Sequence, residues 1–283
     1  MPHISFGLKT APQHVTYEEM LPLWKAADAE PAFEHFWLFD HYAPIFSDLD
    51  GPCLEGWTLL AALATQTERI RIGLMVTGNT YRHPAVLASI AITTDIISNG
   101  RLEFGIGAGW NEYEHTSMGL DLYKPGERIR RLDEACQIYK LLCTQHLTDF
   151  DGRYYQLKEA RREPKPIQKP YPPIMIGGSG EKLTLRVVAK HANAWNFVAG
   201  PVEEYQRKAG ILAEHCEAVG RDPSTIVHST QVRVDYSNLN SALERTQEFV
   251  DAGAAHFVYT LTPPYPDGVV QQVAQEVVKK VKV

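Results

Sequence analysis

Cysteine is scarce, with four residues (Cys53, Cys136, Cys143 and Cys216) among 283. That is too few for a disulfide scaffold, and none stands in a C-x-x-C pair, so zinc-cluster spacing is absent. No apolar run approaches the ~20 residues that a membrane helix needs. The opening MPHISFGLKT has neither a charged leader nor an apolar signal core. The compartment expected is the cytoplasm. Basic excess is missing too: Lys plus Arg is 28 against 34 Asp plus Glu, a formal charge of −6. Nucleic acid is therefore not an expected partner. Neither H-x-H nor H-E-x-x-H occurs, which disfavours a metal hydrolase, and no metal site is expected. The serine elbow G-x-S-x-G is absent as well.

What is present is ordinary for a soluble globular chain: 44% apolar and 22% charged residues. The length suits either two small domains or one α/β barrel of about 250 residues. Short β-branched and aromatic runs occur at His3–Leu8, His35–Asp40, Arg69–Thr77, Leu102–Gly109, Pro173–Gly178, Ala194–Val198, Ile226–Val234 and His256–Leu261. Each has the length of a buried strand.

Helical segments lie between these runs. Thr16 to Glu19 forms a capping box, and Ser241 to Glu244 reads as a second one. Pro84 suits a first helical position and Gly100 a stop, with Val86, Leu87, Ile90, Ala91 and Ile97 expected on one face. After Pro125, a buried stripe runs through Ile129, Leu132, Cys136, Tyr139 and Cys143. Eight strands alternating with helices predict parallel β-α-β units and, at this length, a (β/α)8 TIM barrel. An open doubly wound sheet is the competitor, but its G-x-G-x-x-G is missing after the first strand. One stretch interrupts the alternation. Asp149 to Tyr155 resembles a hairpin with an Asp-Gly turn, and the Pro-rich run Glu163 to Pro173 follows. This insertion between strands 4 and 5 suits a crossover belt or a lid equally.

Active residues of such barrels collect at the C-terminal strand ends. Asp40-His41 pairs a carboxylate with an imidazole there, suited to proton exchange or to holding the loop. Gly177-Gly178-Ser179-Gly180 fits an anion cradle as well as a plain turn, and Gly107-x-Gly109 offers a second close approach. His83, before Pro84, reads as the residue that starts a helix. His115, among others, carries no supporting pattern.

The run Asp95 to Asn111 (DIISNGRLEFGIGAGWN) resembles the hallmark of the bacterial luciferase-like flavin and deazaflavin oxidoreductases. Val76 to Ala88, Pro173 to Gly180 and Trp195-Asn196 agree in the same order, so the resemblance covers about residues 3 to 200. It implies a single domain over 1–283, a luciferase-like (β/α)8 barrel. Asp40-His41 makes the chain most similar to the luciferase-like class of F420-dependent oxidoreductases. That implies hydride transfer between coenzyme F420 and a small molecule, with His41 as the proton donor or acceptor and Asp40 at the ring's polar edge. It implies a non-prolyl cis peptide at Met75–Val76, pressing the backbone, with Thr77 and Gly78, against one cofactor face. Gly107, Ala108, Gly109 and Asn111 would approach the cofactor chain. Gly177, Gly178 and Ser179 would take its phosphate, with Lys182 and Arg186 screening its acidic tail.

The departures from the family also count. Where F420-dependent sugar-6-phosphate dehydrogenases carry a Trp and a Glu, this chain holds Ile45 and, approximately, Trp110. Glucose 6-phosphate is therefore not the expected substrate. A pocket of Tyr42, Ile45, Phe46 and Trp110 suits a hydrophobic carbonyl, enone or imine, whereas helix packing is the plainer role for Trp57. The alternatives are an FMN-dependent monooxygenase and a noncatalytic flavin-binding protein. The resemblance further implies a homodimer.

Overall fold

A computed structural model of the chain describes residues 3–282. In chain order the barrel strands are β1 (Ser5–Thr10), β2 (His35–Leu38), β3 (Arg71–Leu74) and β5 (Leu102–Gly107). They continue with β8 (Ile174–Gly177), β9 (Ala194–Phe197), β10 (Val227–Arg233) and β11 (His256–Leu261). β4 (Thr77–Gly78) resumes β3 after a break, while β6 (Thr148–Asp151) and β7 (Gln156–Ala160) form a separate antiparallel hairpin. β1 lies between β2 and β11, and β3 pairs with both β2 and β5, so the ring of eight parallel strands is closed. The expected (β/α)8 barrel is the observed fold.

Helices α1 (Tyr17–Ala29), α2 (Gly56–Ala64), α3 (Pro84–Ile97), α4 (Glu112–Ser117) and α5 (Pro125–Thr144) alternate with the first strands. α6 (Thr184–His191), α7 (Val202–Ala218), α8 (Leu239–Asp251) and α9 (Val269–Glu276) complete the outer ring. The main core lies between strands and helices, where Trp24, Phe36, Phe104, Tyr139 and Phe257 are almost wholly buried. Burying a large apolar side chain contributes roughly 1.5–3 kcal/mol. Inside the barrel, Trp37, Met75, Met175 and Val258 form a separate apolar plug. None of the helices among the described residues is long and apolar enough to cross a membrane.

Several local expectations change. The first strand begins at Ser5, not His3, and runs on to Thr10, because β11 offers partners up to Leu261. The third strand is broken, and its Met75–Val76 peptide is cis. The capping box at Thr16 is present, with Glu19 reciprocating. The one expected at Ser241 is not. α8 already starts at Leu239, so the Ser241 hydroxyl donates back to the Asn238 carbonyl and Glu244 accepts from Asn240 instead. α3 buries Leu87, Ala88, Ala91 and Ile92 but turns Val86 (54% exposed) and Ile97 (43% exposed) outward. Its inward face is thus offset from the expected one, because polar Thr94 and Asp95 are also drawn inside.

The insertion between β5 and β8 behaves as a belt. Gln168 binds the buried Asp95 carboxylate through its backbone N–H and its amide, at 3.1 and 2.7 Å. Arg162 reaches Ser89 and Thr93 on α3, and Lys165 caps the end of α5 at the Leu142 carbonyl. The hairpin is fixed by Glu134, which accepts from the amides of Arg153, Tyr154 and Tyr155.

Candidate active site

β2 ends at Leu38, and the chain then carries Asp40 and His41 over the barrel's C-terminal rim. Glu114, in the first turn of α4, is brought beneath them because Asn111 caps that helix and its Oδ1 accepts from the Glu114 N–H. His41 Nδ1 lies 2.7 Å from Glu114 Oε2. The same oxygen accepts from the Tyr81 hydroxyl at 2.5 Å, while Oε1 accepts from the backbone N–H groups of Tyr42 and Ala43 at 2.5 and 3.2 Å. Burial alone would push the Glu114 carboxyl up. Hydrogen bonds from His41 and Tyr81, the His41 charge and the Tyr42 amide outweigh it and hold the group below the usual carboxylate range. An ionised carboxylate only accepts, so it fixes the His41 proton on Nδ1 and leaves the Nε2 lone pair without a partner among the described residues.

Asp40 does something different. Its side chain has no exposed surface and is gripped by Arg82, at 2.6 and 3.1 Å, and by the Thr77 hydroxyl. Arg82 also meets Glu55, and the Trp57 indole N–H donates to Thr77 at 3.3 Å. Burial pushes the Asp40 carboxyl up, and the Arg82 charge with the hydrogen bonds from Arg82 and Thr77 works against that rise. The carboxylate expected at a cofactor's polar edge is therefore occupied in tying β2, β4 and α2 together. Burial also raises the Tyr42 phenol to about 12.

The floor of the mouth is glycine. A Cβ on Gly107 would stand 2.8 Å from Val76 Cγ2, and one on Gly177 would stand 3.1 Å from both Val76 methyls. Only glycine lets β5 and β8 approach the bulge at Val76 this closely. Gly178 has φ +126°, a value that side chains resist. Its N–H is not free for an anion, since it donates to the Asn196 carbonyl at 3.3 Å. α6 starts only at Thr184, so Ser179 and Gly180 lie in the turn before it, and Lys182 and Arg186 are exposed nearby. Ala108 is half-buried, and the Gly109 carbonyl accepts from Arg128 at 2.6 Å. Asn79 donates its backbone N–H to Gly107, yet both polar atoms of its side chain are buried without a protein partner.

The outer wall is aromatic. Trp110 lies edge-on to His41, with ring centroids 5.7 Å apart, and stacks on the exposed Phe46 at 5.6 Å. Ile45 is pinned through its backbone N–H and carbonyl by the Gln13 amide. Trp57, on α2, is buried and packs toward Phe104 of β5, as helix packing predicts.

A sequence profile of the family described as luciferase-like monooxygenase matches residues 4–277. The chain belongs to this family. An F420-dependent glucose-6-phosphate dehydrogenase of Microbacterium testaceum is 30% identical, over 86% of this chain and 72% of its own. The oxygenase component of a flavin-dependent trigonelline monooxygenase of Acinetobacter baylyi is 26% identical, over 95% and 80%. Among solved structures, an F420-dependent secondary alcohol dehydrogenase in complex with an F420-acetone adduct superposes with a TM-score of 0.88 over the whole of both chains. At 17% identity that likeness speaks to the fold alone.

Sequence reasoning missed Glu114, Tyr81, Arg82, Glu55 and Asn79. The fourth-strand loop, read as lacking an acid, carries one a turn further on. Asn111-x-x-Glu114 has helix-cap spacing, which was a usable signal. The link from Glu114 to His41 spans 73 residues and had no local trace.

Proposed function

We propose that this protein is a cytoplasmic oxidoreductase that moves a hydride between coenzyme F420 and a small, largely hydrophobic carbonyl, enone or imine. The observation that carries the reading is the buried His41–Glu114 pair, with Nε2 left without a partner among the described residues. The floor fits a flat tricyclic ring. Gly107 and Gly177 let β5 and β8 lie flush against the Val76 bulge, and the unpartnered Asn79 amide is available to a polar group. When bound, F420 supplies or accepts the hydride. Gly107, Ala108, Gly109 and Asn111 would lie along its chain, Ser179 and Gly180 would offer N–H groups to its phosphate, and Lys182 and Arg186 would screen its acidic tail. With its Nδ1–H held by Glu114, His41 as the imidazolium gives its Nε2 proton to the substrate oxygen or nitrogen as reduction proceeds, and as the neutral ring takes a proton on the Nε2 lone pair in the reverse direction. Trp110 and Phe46 exclude water and favour an apolar substrate body. Two copies would pair across the groove between α2 and α3, where Ala61, Val86, Ile90 and Ile97 meet solvent.

The second reading, an FMN-dependent monooxygenase, is favoured by the flavin-dependent relative of Acinetobacter. Titrating the purified protein with F420 and with FMN separates the two, followed by a screen of ketones, enones and imines. Tighter binding of F420, with substrate-dependent oxidation of F420H2, is expected. Preferential FMN binding with substrate-dependent oxygen uptake would overturn the reading.

A further inference from the structure

Across the barrel from the aromatic wall, the mouth is cationic. Strand register shows why. Lys9 on β1 pairs with Thr260 on β11, which pairs with Arg233 on β10. Registered residues of neighbouring parallel strands point to the same side. Val258, two residues before Thr260, belongs to the apolar plug inside the barrel, so Thr260 and its two partners face inward as well. A hydrogen bond confirms this for Lys9. Its Nζ donates to Gln231 Oε1 at 2.8 Å, although β11 separates their strands, so the bond runs across the interior.

That contact is held from below. Gln231 donates its amide to Asn196 Oδ1 at 2.9 Å, Asn196 donates to Ser229 Oγ at 2.9 Å, and Ser229 meets His256 Nδ1 at 2.8 Å. The relay forces the Gln231 oxygen toward Lys9. An ammonium carries three N–H donors, and Gln231 takes only one of them here, the others having no acceptor among the described residues. Among the described residues no carboxylate forms an ion pair with Lys9. Burial alone acts on the amine and pushes it down to about 8. Lys9 is nevertheless partly reached by solvent, as a group at the bottom of an open mouth should be. Arg233, at the rim, is exposed and forms no ion pair among the described residues. The nearby Asp235 is instead turned onto Ser237.

We propose that the barrel mouth recognises a substrate bearing a carboxylate, with Lys9 at the floor and Arg233 at the rim as its receptors. This deepens the reading above: the reducible carbonyl, enone or imine belongs to an aromatic or aliphatic acid. The apolar body lies along Trp110 and Phe46, and the anionic end points to β1 and β10. An ammonium and a guanidinium on the same inward face, both in register with Thr260, suit a carboxylate. An uncompensated amine inside a barrel is unfavourable, and an anion arriving there relieves it.

The test uses cinnamate and its neutral isostere cinnamamide as probes, titrated calorimetrically into the full-length protein without cofactor. Cinnamate should bind roughly tenfold or more tightly than cinnamamide. Lys9→Met should abolish the preference, Lys9→Arg should keep part of it, and Arg233→Gln should reduce it. Unfolding curves show whether each variant is folded, and Arg233→Gln, at an exposed position, keeps the test available if Lys9→Met is not. Equal affinity for both probes, binding of neither, or a preference that survives in both Lys9→Met and Arg233→Gln would overturn the proposal. A stronger preference for phenyl phosphate would overturn the carboxylate assignment. Because the titrations contain no F420, a failure of the cofactor reading shows separately, in the F420 titration.

Discussion

His41 rests on Glu114: its Nδ1 is 2.7 Å from the Oε2 of a carboxylate that has no exposed surface. The pair turns an imidazole at a strand end into an oriented proton carrier, since the acid settles which ring nitrogen is free.

Removing the imidazole should remove the proton transfer. His41→Ala is expected to lower kcat by ~10²–10⁴ while F420 affinity changes only modestly. Glu114→Gln should lower kcat as well, because a neutral amide no longer supports the imidazolium charge and can donate to Nδ1, which unfixes the ring's proton arrangement. Steady-state kinetics beside an F420 titration measure both effects, and wild-type turnover in His41→Ala would dismiss the role.

The Asp40–Arg82 pair is a matter of stability. Asp40 has no side-chain exposure and Arg82 only 12%. Arg82→Met leaves a buried carboxylate without its cation and should cost about 3–5 kcal/mol, read from urea unfolding. A loss below about 1 kcal/mol, the range of exposed pairs, would mean that the pair is effectively solvated.

Acid should weaken the barrel through His35 and His256. Their rings stack at 3.8 Å inside the strand ring, and each Nε2 is buried without a partner among the described residues. Burial lowers both, helped at His35 by the charges of His256 and Arg71 and opposed at His256 by those of Glu103 and Glu34. The folded state thus binds fewer protons than the unfolded chain, whose histidines titrate near 6.5. Their contribution is complete above that value and is lost as pH falls through it toward the depressed folded values. Thermal unfolding between pH 8 and 5, on the wild type and on His256→Gln, should show a shallower acid slope in the variant.

Gly107 and Val76 should be coupled. Gly107→Ala sets a methyl against Val76 Cγ2 and should cost about 1–3 kcal/mol by overpacking. Val76→Ala removes that obstacle, so the double variant should be more stable than the sum of the two single losses. Additive losses in a double-mutant cycle would show that the floor has slack.

The barrel was legible in the sequence because periodicity is local. Eight β-rich runs, the cap at Thr16, the first-turn Pro84 and the stop at Gly100 each report on their own neighbourhood. Ser241 shows the limit of such signals. Its spacing to Glu244 is that of a capping box, but α8 begins at Leu239, two residues earlier, and Glu244 accepts from Asn240 instead. The site was legible only in part. Asp40 and His41 stand side by side in the sequence, yet one turns inward to Arg82 and the other lies over Glu114.

By itself, the sequence determined the alternation of strands and helices, the glycines that allow close backbone approach, and the residue types present at the strand ends. The tertiary structure alone decided which of those residues meet. Pairing of β3 with β2 and β5 brings Glu114 to His41 and Arg82 to Asp40, and pairing of β11 with β1 and β10 brings Gln231 to Lys9, across dozens to hundreds of residues of chain. Such pairings arise from strand register and ring closure, which no local pattern of residues encodes.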